Sequence, residues 1–140
     1  MSPAVRAPRP PLHLLAAESD LIASLALRTE HSQPVVAAML LEEIERAELH
    51  EPGDMPNGHV MLNSRVTFVD EKSRQSRAVE LVLPGQANIA EGRISILTPL
   101  GAALYGLGQG QAIEWPDLNG NYRPIRIVRV ERPAPEEAAA

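Results

Sequence analysis

The sequence contains no cysteine and very few aromatic residues. The absence of cysteine excludes disulfides, thiolate nucleophiles and cysteine-based zinc sites. Aromatic residues make up only 3% of the chain, and they are Phe68, Tyr105, Trp115 and Tyr122. Proteins that bind single-stranded nucleic acid usually stack bases on several aromatic side chains, so this class of function is disfavoured. The core must instead be built from Leu, Ile, Val and Ala.

The chain also lacks an excess of positive charge and any long apolar run. It has 13 Lys and Arg against 18 Asp and Glu, for a formal net charge of −5. Binding to duplex DNA needs a cationic surface that displaces counterions, so we expect no direct, specific DNA binding. An acidic protein is better suited to a basic surface on another protein. Residues 1–11 lack the apolar segment of a signal peptide, and no stretch approaches the roughly 20 apolar residues of a membrane helix. We therefore expect a cytoplasmic protein with no membrane partner.

The N-terminal half predicts two short helices. Apolar residues one turn apart predict a helix over residues 16–27, and the polar residues 29–33 interrupt this pattern. Ser32 can cap a second helix that has Pro34 in its first turn and runs to about residue 49. Helices with so short a connection pack as an antiparallel hairpin, which we expect to be a small coiled coil. At about 1.5 Å per residue its arms would reach roughly 18 to 24 Å.

The C-terminal half changes to the two-residue period of β-strands. Strands are predicted at residues 64–69, 77–83, 93–97, 112–115 and 123–130. The last of these changes phase between Ile127 and Val128, which indicates a bulge or two buried faces. Pro99 can open one short helix, which Gly106 or Gly108 ends. The predicted class is α+β: a short helical hairpin followed by a five-stranded antiparallel sheet with one short helix.

Breaker residues and prolines suggest where the parts of the chain begin and end. Residues 1–15 are rich in proline and are expected to be a disordered tail, as are residues 133–140. The hairpin would occupy residues 16–50. Residues 51–59 contain clustered Pro and Gly and would form a linker. The β domain would then occupy residues 60–132.

No group of residues in the sequence predicts a catalytic or metal site. The histidines, at His13, His31, His50 and His59, fall in expected tails, loops or boundaries without the spacing of metal ligands. We interpret them as solvated surface residues, and we expect no metal or other cofactor. The glutamates of the second helix, Glu42, Glu43, Glu45 and Glu48, could pair as carboxylates but are interpreted as a solvated face. The sequence thus favours a binding protein over an enzyme.

One continuous motif resembles the C-terminal domain of the bacterial Gre transcript-cleavage factors. It joins a strand, a turn and a short helix, and reads Ile94-Ser95-Ile96-Leu97-Thr98-Pro99-Leu100-Gly101-Ala102-Ala103-Leu104-Tyr105-Gly106-Leu107. Gln111 departs from this pattern, because the family usually has Asp at that turn. Together with the shortened hairpin and Asn63-Ser64-Arg65-Val66, the motif is most similar to the Rnk subfamily, named regulator of nucleoside diphosphate kinase. The resemblance implies an FKBP-like C-terminal domain.

The resemblance also implies a partner and candidate site residues. Gre-like proteins dock on RNA polymerase at the rim of its secondary channel, with the hairpin pointing into that channel. The implied polymerase-binding residues are Thr98, Pro99, Leu100 and Gly101, and the implied hairpin tip is Glu30, His31 and Ser32. Cleavage-stimulating Gre factors carry a pair of acidic residues at the tip to help hold a second catalytic Mg²⁺, and two-metal chemistry depends on the placement of both ions. The tip offers Glu30 alone.

We therefore expect a monomeric transcription regulator that competes with Gre-type factors for polymerase and does not stimulate transcript cleavage. Two alternatives stay open from the sequence. The first is a Gre-like cleavage stimulator that uses Glu30 as its surviving ligand. The second is an adaptor that regulates nucleoside diphosphate kinase through another protein partner.

Overall fold

The computed structural model describes residues 11–116 and 121–132, so the expected tails at residues 1–10 and 133–140 lie outside the described residues. The elements in chain order are β1 (His13–Leu15), α1 (Ala16–Arg28), α2 (Pro34–Arg46), β2 (Glu48–His50), β3 (Arg65–Asp70), β4 (Ser76–Val82), β5 (Arg93–Ser95), α3 (Pro99–Leu104), β6 (Ala112–Pro116) and β7 (Tyr122–Glu131). Short 3-10 turns lie at Pro52–Asp54, Pro84–Gln86 and Ile89–Glu91. The α+β class is confirmed. None of the described helices is long and apolar enough to cross a membrane.

The helical hairpin is short. The helices α1 and α2 have 13 residues each, which corresponds to roughly 20 Å of length. Pro34 is the first residue of α2, as the sequence predicts, but its N-cap is Gln33 and not Ser32. The helix α2 also ends earlier than expected, at Arg46, because the backbone of Ala47 is extended and leads directly into a strand.

The two-stranded sheet was not predicted. Strand β1 pairs with β2 in parallel, with His13 opposite Glu48 and Leu15 opposite His50. Residues 11–15 were expected to belong to the disordered tail, and this is wrong, because the side chains of Leu12 and Leu14 are only 1% exposed. Burial of these two leucines supplies the free energy that holds the segment in place.

The five-stranded sheet has the order β5-β4-β3-β7-β6. Its strand positions agree with the predicted ones to within about two residues, and β7 carries the indicated bulge, since Thr67 pairs with Arg129 while Phe68 pairs with Ile127. The sheet is not antiparallel throughout, because β4 and β5 pair in parallel. Residues 83–92 connect them through two 3-10 turns instead of a hairpin, which reverses the chain twice before pairing begins.

The hairpin and the sheet share one hydrophobic core. Ile22, Ala26, Val36, Ala37 and Leu40 of the hairpin belong to the same buried cluster as the side chains of the sheet and of α3. Helix α2 packs against α3 as well as against α1. The hairpin is therefore part of the folded domain and not a separate arm.

A buried carboxylate joins α1 to the β domain. Glu18 accepts hydrogen bonds from the backbone N–H of Leu62 at 3.0 Å and from the hydroxyl of Tyr105 at 3.1 Å. Burial raises the pKa of Glu18, and burial together with the neighbouring Glu18 carboxyl raises the pKa of Tyr105. These two bonds fix the base of the hairpin against the segment before β3, through Leu62, and against the end of α3, through Tyr105.

A second glutamate departs from its expected surroundings. Glu43 was interpreted as part of a solvated face, and this is wrong, since it is only 4% exposed. Its carboxylate oxygens lie 2.8 Å and 3.0 Å from two guanidinium nitrogens of Arg46. Bidentate pairing of this kind compensates the cost of removing a charge from water.

The expected linker is also structured in part. Within residues 51–59 the chain forms a 3-10 turn, Met55 is buried, and His59 forms a β-bridge with Gly108.

Gln111 stands where the Gre pattern usually has Asp, and the turn is nevertheless closed by a hydrogen bond. The side-chain oxygen of Gln111 accepts the backbone N–H of Gly108 at 2.8 Å.

Candidate functional site

The start of α3 is held by Thr98 and Pro99. The hydroxyl of Thr98 accepts the backbone N–H of Gly101 at 3.0 Å and donates to the carbonyl oxygen of Ser95 at 2.8 Å. Pro99 is the first helical residue, where the missing N–H has no cost. Thr98 is therefore the N-cap of α3, and its side chain is occupied by local hydrogen bonds.

Gly101 is buried because α3 lies directly against the end of β5. A Cβ atom added at Gly101 would lie 2.2 Å from the carbonyl oxygen of Ser95 and 3.1 Å from the Cα of Ile96. Leu100 is also buried, with 9% of its surface exposed. Of the candidate polymerase-binding residues, Gly101 thus has a packing role, Pro99 is half-buried at the helix start, and Leu100 lines a groove.

This groove has a volume of about 280 Å³ and lies between α3 and the sheet. We call it the α3 groove, and its lining consists of Phe68, Asp70, Ser73, Gln75, Arg77, Leu100, Arg123 and Ile125. Phe68, Leu100 and Ile125 are buried and form its apolar floor. The remaining side chains form a polar and charged rim. The sequence motif predicts Leu100 as a candidate binding residue. The residues of the rim come from β3, β4, their connecting turn and β7, and they were not predicted from the sequence.

The turn between β3 and β4 gives the groove a well-ordered wall. One oxygen of the Asp70 carboxylate accepts the backbone N–H groups of Lys72 at 2.9 Å and Ser73 at 3.2 Å. The other oxygen accepts hydrogen bonds from the guanidinium of Arg123 on β7. Arg123, together with the backbone N–H of Ser73, lowers the pKa of Asp70, so this carboxyl is charged at neutral pH.

The rim also carries a cation that is stacked on the floor. The guanidinium carbon of Arg77 lies 5.8 Å from the centre of the Phe68 ring, within the range of cation–π attraction. An apolar floor that contains an aromatic ring and is surrounded by a polar, charged rim has the general composition of a protein–protein interface, which has an apolar core and a polar rim. The arrangement is suited to docking a side chain or loop of another protein.

The hairpin tip holds a single carboxylate. Glu30, His31 and Ser32 are all exposed between α1 and α2. The turn is closed by its own hydrogen bonds, since the hydroxyl of Thr29 donates to the carbonyl of Leu25 at 3.0 Å and that of Ser32 donates to the carbonyl of Thr29 at 3.2 Å. The tip therefore presents Glu30 to solvent without a second acidic residue in the turn.

Three of the histidines lie together, which the sequence did not predict. Nδ1 of His13 is 2.8 Å from Nε2 of His50, and the ring centres of His13 and His59 are 4.6 Å apart. The interpretation of the histidines as solvated surface residues is wrong for these three and holds for the exposed His31. The pairing of β1 with β2 brings His13 and His50 together, and the β-bridge to Gly108 places His59 beside them. Neither strand is visible in a local pattern.

Comparisons with known proteins agree on one family. Residues 55–132 match the model of the C-terminal domain of the transcription elongation factors GreA/GreB. The chain is 28% identical to the regulator of nucleoside diphosphate kinase of Escherichia coli (strain K12), over 88% of this chain and 90% of that protein. It is 32% identical to GreA of Brucella anthropi over 61% of this chain and only 54% of that protein, so it spans about half of that relative.

A solved structure resembles the whole described fold. It is the prokaryotic transcription elongation factor GreA/GreB from Nitrosomonas europaea, which is 34% identical and has a TM-score of 0.70. The match covers 89% of this chain and 100% of that chain. These relatives bear the names of transcription factors or regulators and not of enzymes. The likeness therefore extends over both the hairpin and the β domain.

Proposed function

This chain belongs to the family of GreA/GreB transcription elongation factors, and we propose that it is a transcription regulator that binds RNA polymerase at the rim of the secondary channel. The β domain docks through the α3 groove, and the hairpin partly covers the channel entrance. In this position the protein competes with Gre-type factors by mass action. It works in the cytoplasm as a monomer and does not stimulate transcript cleavage.

The observation that supports this proposal is the combination of a C-terminal domain that matches the family model with a short hairpin that has one acid at its tip. The α3 groove lies within the segment that matches the family model, at the helix start of the shared motif. The hairpin consists of two 13-residue helices packed into the core, and its tip carries Glu30 alone. A single carboxylate on a short arm is poorly suited to holding a second metal ion in another protein's active site.

The docking step is tested by reversing one charge on the rim of the groove. Arg77→Glu removes the cation stacked on Phe68 and leaves an acid beside Asp70, so we expect binding to core RNA polymerase to weaken about tenfold or more. The measurement is the dissociation constant for core polymerase at fixed salt, determined by fluorescence anisotropy of the labelled protein.

Arg129→Glu is the matched control for this experiment. Arg129 lies on β7 outside the groove, its side chain is 67% exposed, and its reversal changes the net charge by the same amount. We expect its effect on the dissociation constant to stay within about twofold. The docking proposal fails if the wild-type protein does not bind core polymerase, or if both reversals weaken binding equally.

The name of the Escherichia coli relative supports a second candidate, an adaptor that regulates nucleoside diphosphate kinase. The same anisotropy assay distinguishes the two when purified kinase replaces polymerase. Binding to the kinase that Arg77→Glu abolishes would favour the adaptor, whereas binding to polymerase alone favours the channel-rim regulator.

A further inference from the structure

Three side chains with metal-ligating atoms converge at the base of the hairpin. They are His13 of β1 together with Glu48 and His50 of β2. Nδ1 of His13 lies 2.8 Å from Nε2 of His50. Of the Glu48 carboxylate oxygens, Oε1 lies 4.0 Å from the His13 nitrogen and Oε2 lies 3.7 Å from the His50 nitrogen. We name these three residues the β1–β2 cluster.

The spacing of these atoms fits one ion with tetrahedral coordination. Ligands about 2.0 to 2.1 Å from a zinc ion and about 109° apart are separated from one another by about 3.3 Å. The observed separations of 2.8, 3.7 and 4.0 Å lie on both sides of that value. Changes of about half an ångström in these separations, within the reach of side-chain torsions, would bring all three to that value.

The ligand types select the class of ion. Two imidazoles and one carboxylate suit zinc and similar transition metals, whereas magnesium and calcium prefer oxygen ligands throughout. The same combination of two histidines and one acid occurs at known zinc sites that keep a fourth position for water. The Glu48 side chain is 67% exposed, against 22% for His13 and 12% for His50, so the cluster opens towards solvent on the side of Glu48.

The surrounding backbone keeps the cluster in place before any ion binds. The backbone N–H of His13 donates to the carbonyl oxygen of Gly106 at 3.2 Å, and that of Glu48 donates to the carbonyl of Leu12 at 2.9 Å. Nδ1 of His59 donates to the same Gly106 oxygen at 2.9 Å, and the His59 ring packs edge-on against His13. Positioned ligands of this kind lower the entropic cost of binding a metal.

We propose that His13, Glu48 and His50 bind a divalent transition-metal ion of the zinc class, which clamps strand β1 to β2 at the base of the hairpin. The ion ties the N-terminal segment to the end of α2 and so couples hairpin stability to metal supply. This site is separate from the α3 groove and does not depend on polymerase binding.

The test uses the full chain without an affinity tag and Zn²⁺ alone as the probe. Calorimetric titration should give saturable binding of one ion per chain, and Co²⁺ should give the intense visible absorption of tetrahedral coordination with nitrogen ligands. Glu48→Gln and His13→Asn should each raise the dissociation constant about tenfold or more, since each removes one ligand. Zn²⁺ should raise the melting temperature of the wild-type protein.

His31→Asn is the matched control, because His31 is exposed at the opposite end of the hairpin. Its dissociation constant should equal that of the wild type. Glu48→Gln keeps the shape of an exposed side chain, so it reports on the site even if His13→Asn weakens the fold. The proposal is overturned by the absence of saturable Zn²⁺ binding, or by binding that survives both ligand substitutions unchanged. A hydrogen-bonded pair of histidines with no metal role would give one of these results.

Discussion

Gly101→Ala should destabilise the protein by about 3 kcal/mol, the upper range for forcing a methyl group into a packed interior. The added Cβ would lie 2.2 Å from the carbonyl oxygen of Ser95 and 3.1 Å from the Cα of Ile96. Both contacts are with backbone, so no flexible side chain can move aside to relieve them. Helix α3 would have to move away from β5, which would distort the strand–turn–helix motif of residues 94–107. Urea unfolding followed by circular dichroism measures the loss.

Gly53→Ala is the matched control for this substitution. A Cβ at Gly53 would have nothing within 4 Å, and the residue lies in an exposed 3-10 turn. We expect a change of at most about 0.5 kcal/mol, and stabilisation is possible because alanine restricts the unfolded chain. Equal effects of the two substitutions would contradict the close approach of α3 to β5.

Leu40→Ala should destabilise the whole protein by about 2 to 5 kcal/mol, the range for a leucine removed from a packed core. Leu40 lies on α2 with none of its surface exposed, within the cluster that the hairpin shares with the sheet. Because the core is continuous, the helical signal and the hydrogen exchange of the β3 amides should report one unfolding transition with the same shift.

Leu27→Ala provides the comparison on the exposed side of the hairpin. Leu27 is 56% exposed, so its loss should cost at most about 0.5 kcal/mol. If Leu40→Ala shifted only the helical signal and left the exchange of the β3 amides unchanged, the hairpin would be an independent arm. That outcome would contradict a hairpin that is built into the core.

Features with a local sequence signal were predicted well. Pro34 and Pro99 mark the starts of α2 and α3, because proline fits the first helical turn and few other places. The alternation of Val66 and Phe68 indicates which face of β3 is buried. The change of phase after Ile127 indicates the bulge in β7. In each case the physical cause lies within a few residues of the signal.

Features that depend on contacts between distant residues were not predicted. Strands β1 and β2 have three residues each, too few to display a period, and 32 residues separate them. The β1–β2 cluster forms only when these strands pair, so it was not predicted from the sequence for the same reason. The parallel placement of β5 depends on how residues 83–92 cross the sheet, which no local pattern shows. The rim of the α3 groove likewise draws on β3, β4 and β7.

The motif of residues 94–107 indicated the family correctly. It gave less information about which of its residues could contact a partner. Its turn and helix start lie beside the α3 groove, but Thr98 and Gly101 serve mainly to set the position of α3. Docking specificity is therefore expected from the rim, where Arg77 is exposed and the Arg123 side chain, paired with Asp70, is 45% exposed. A substitution at Gly101 that weakened polymerase binding would act through the fold.

We propose above all that this protein binds polymerase at the secondary-channel rim, where Gre factors bind, and does not stimulate transcript cleavage. The most direct test adds the protein to backtracked elongation complexes, alone and in competition with a cleavage-stimulating Gre factor. Alone, it should leave the transcripts at full length, and in excess it should slow Gre-dependent cleavage in proportion to its occupancy of polymerase. Transcript shortening by the protein alone that Glu30→Ala abolishes, or Gre-dependent cleavage that stays unchanged at saturating protein, would contradict the claim.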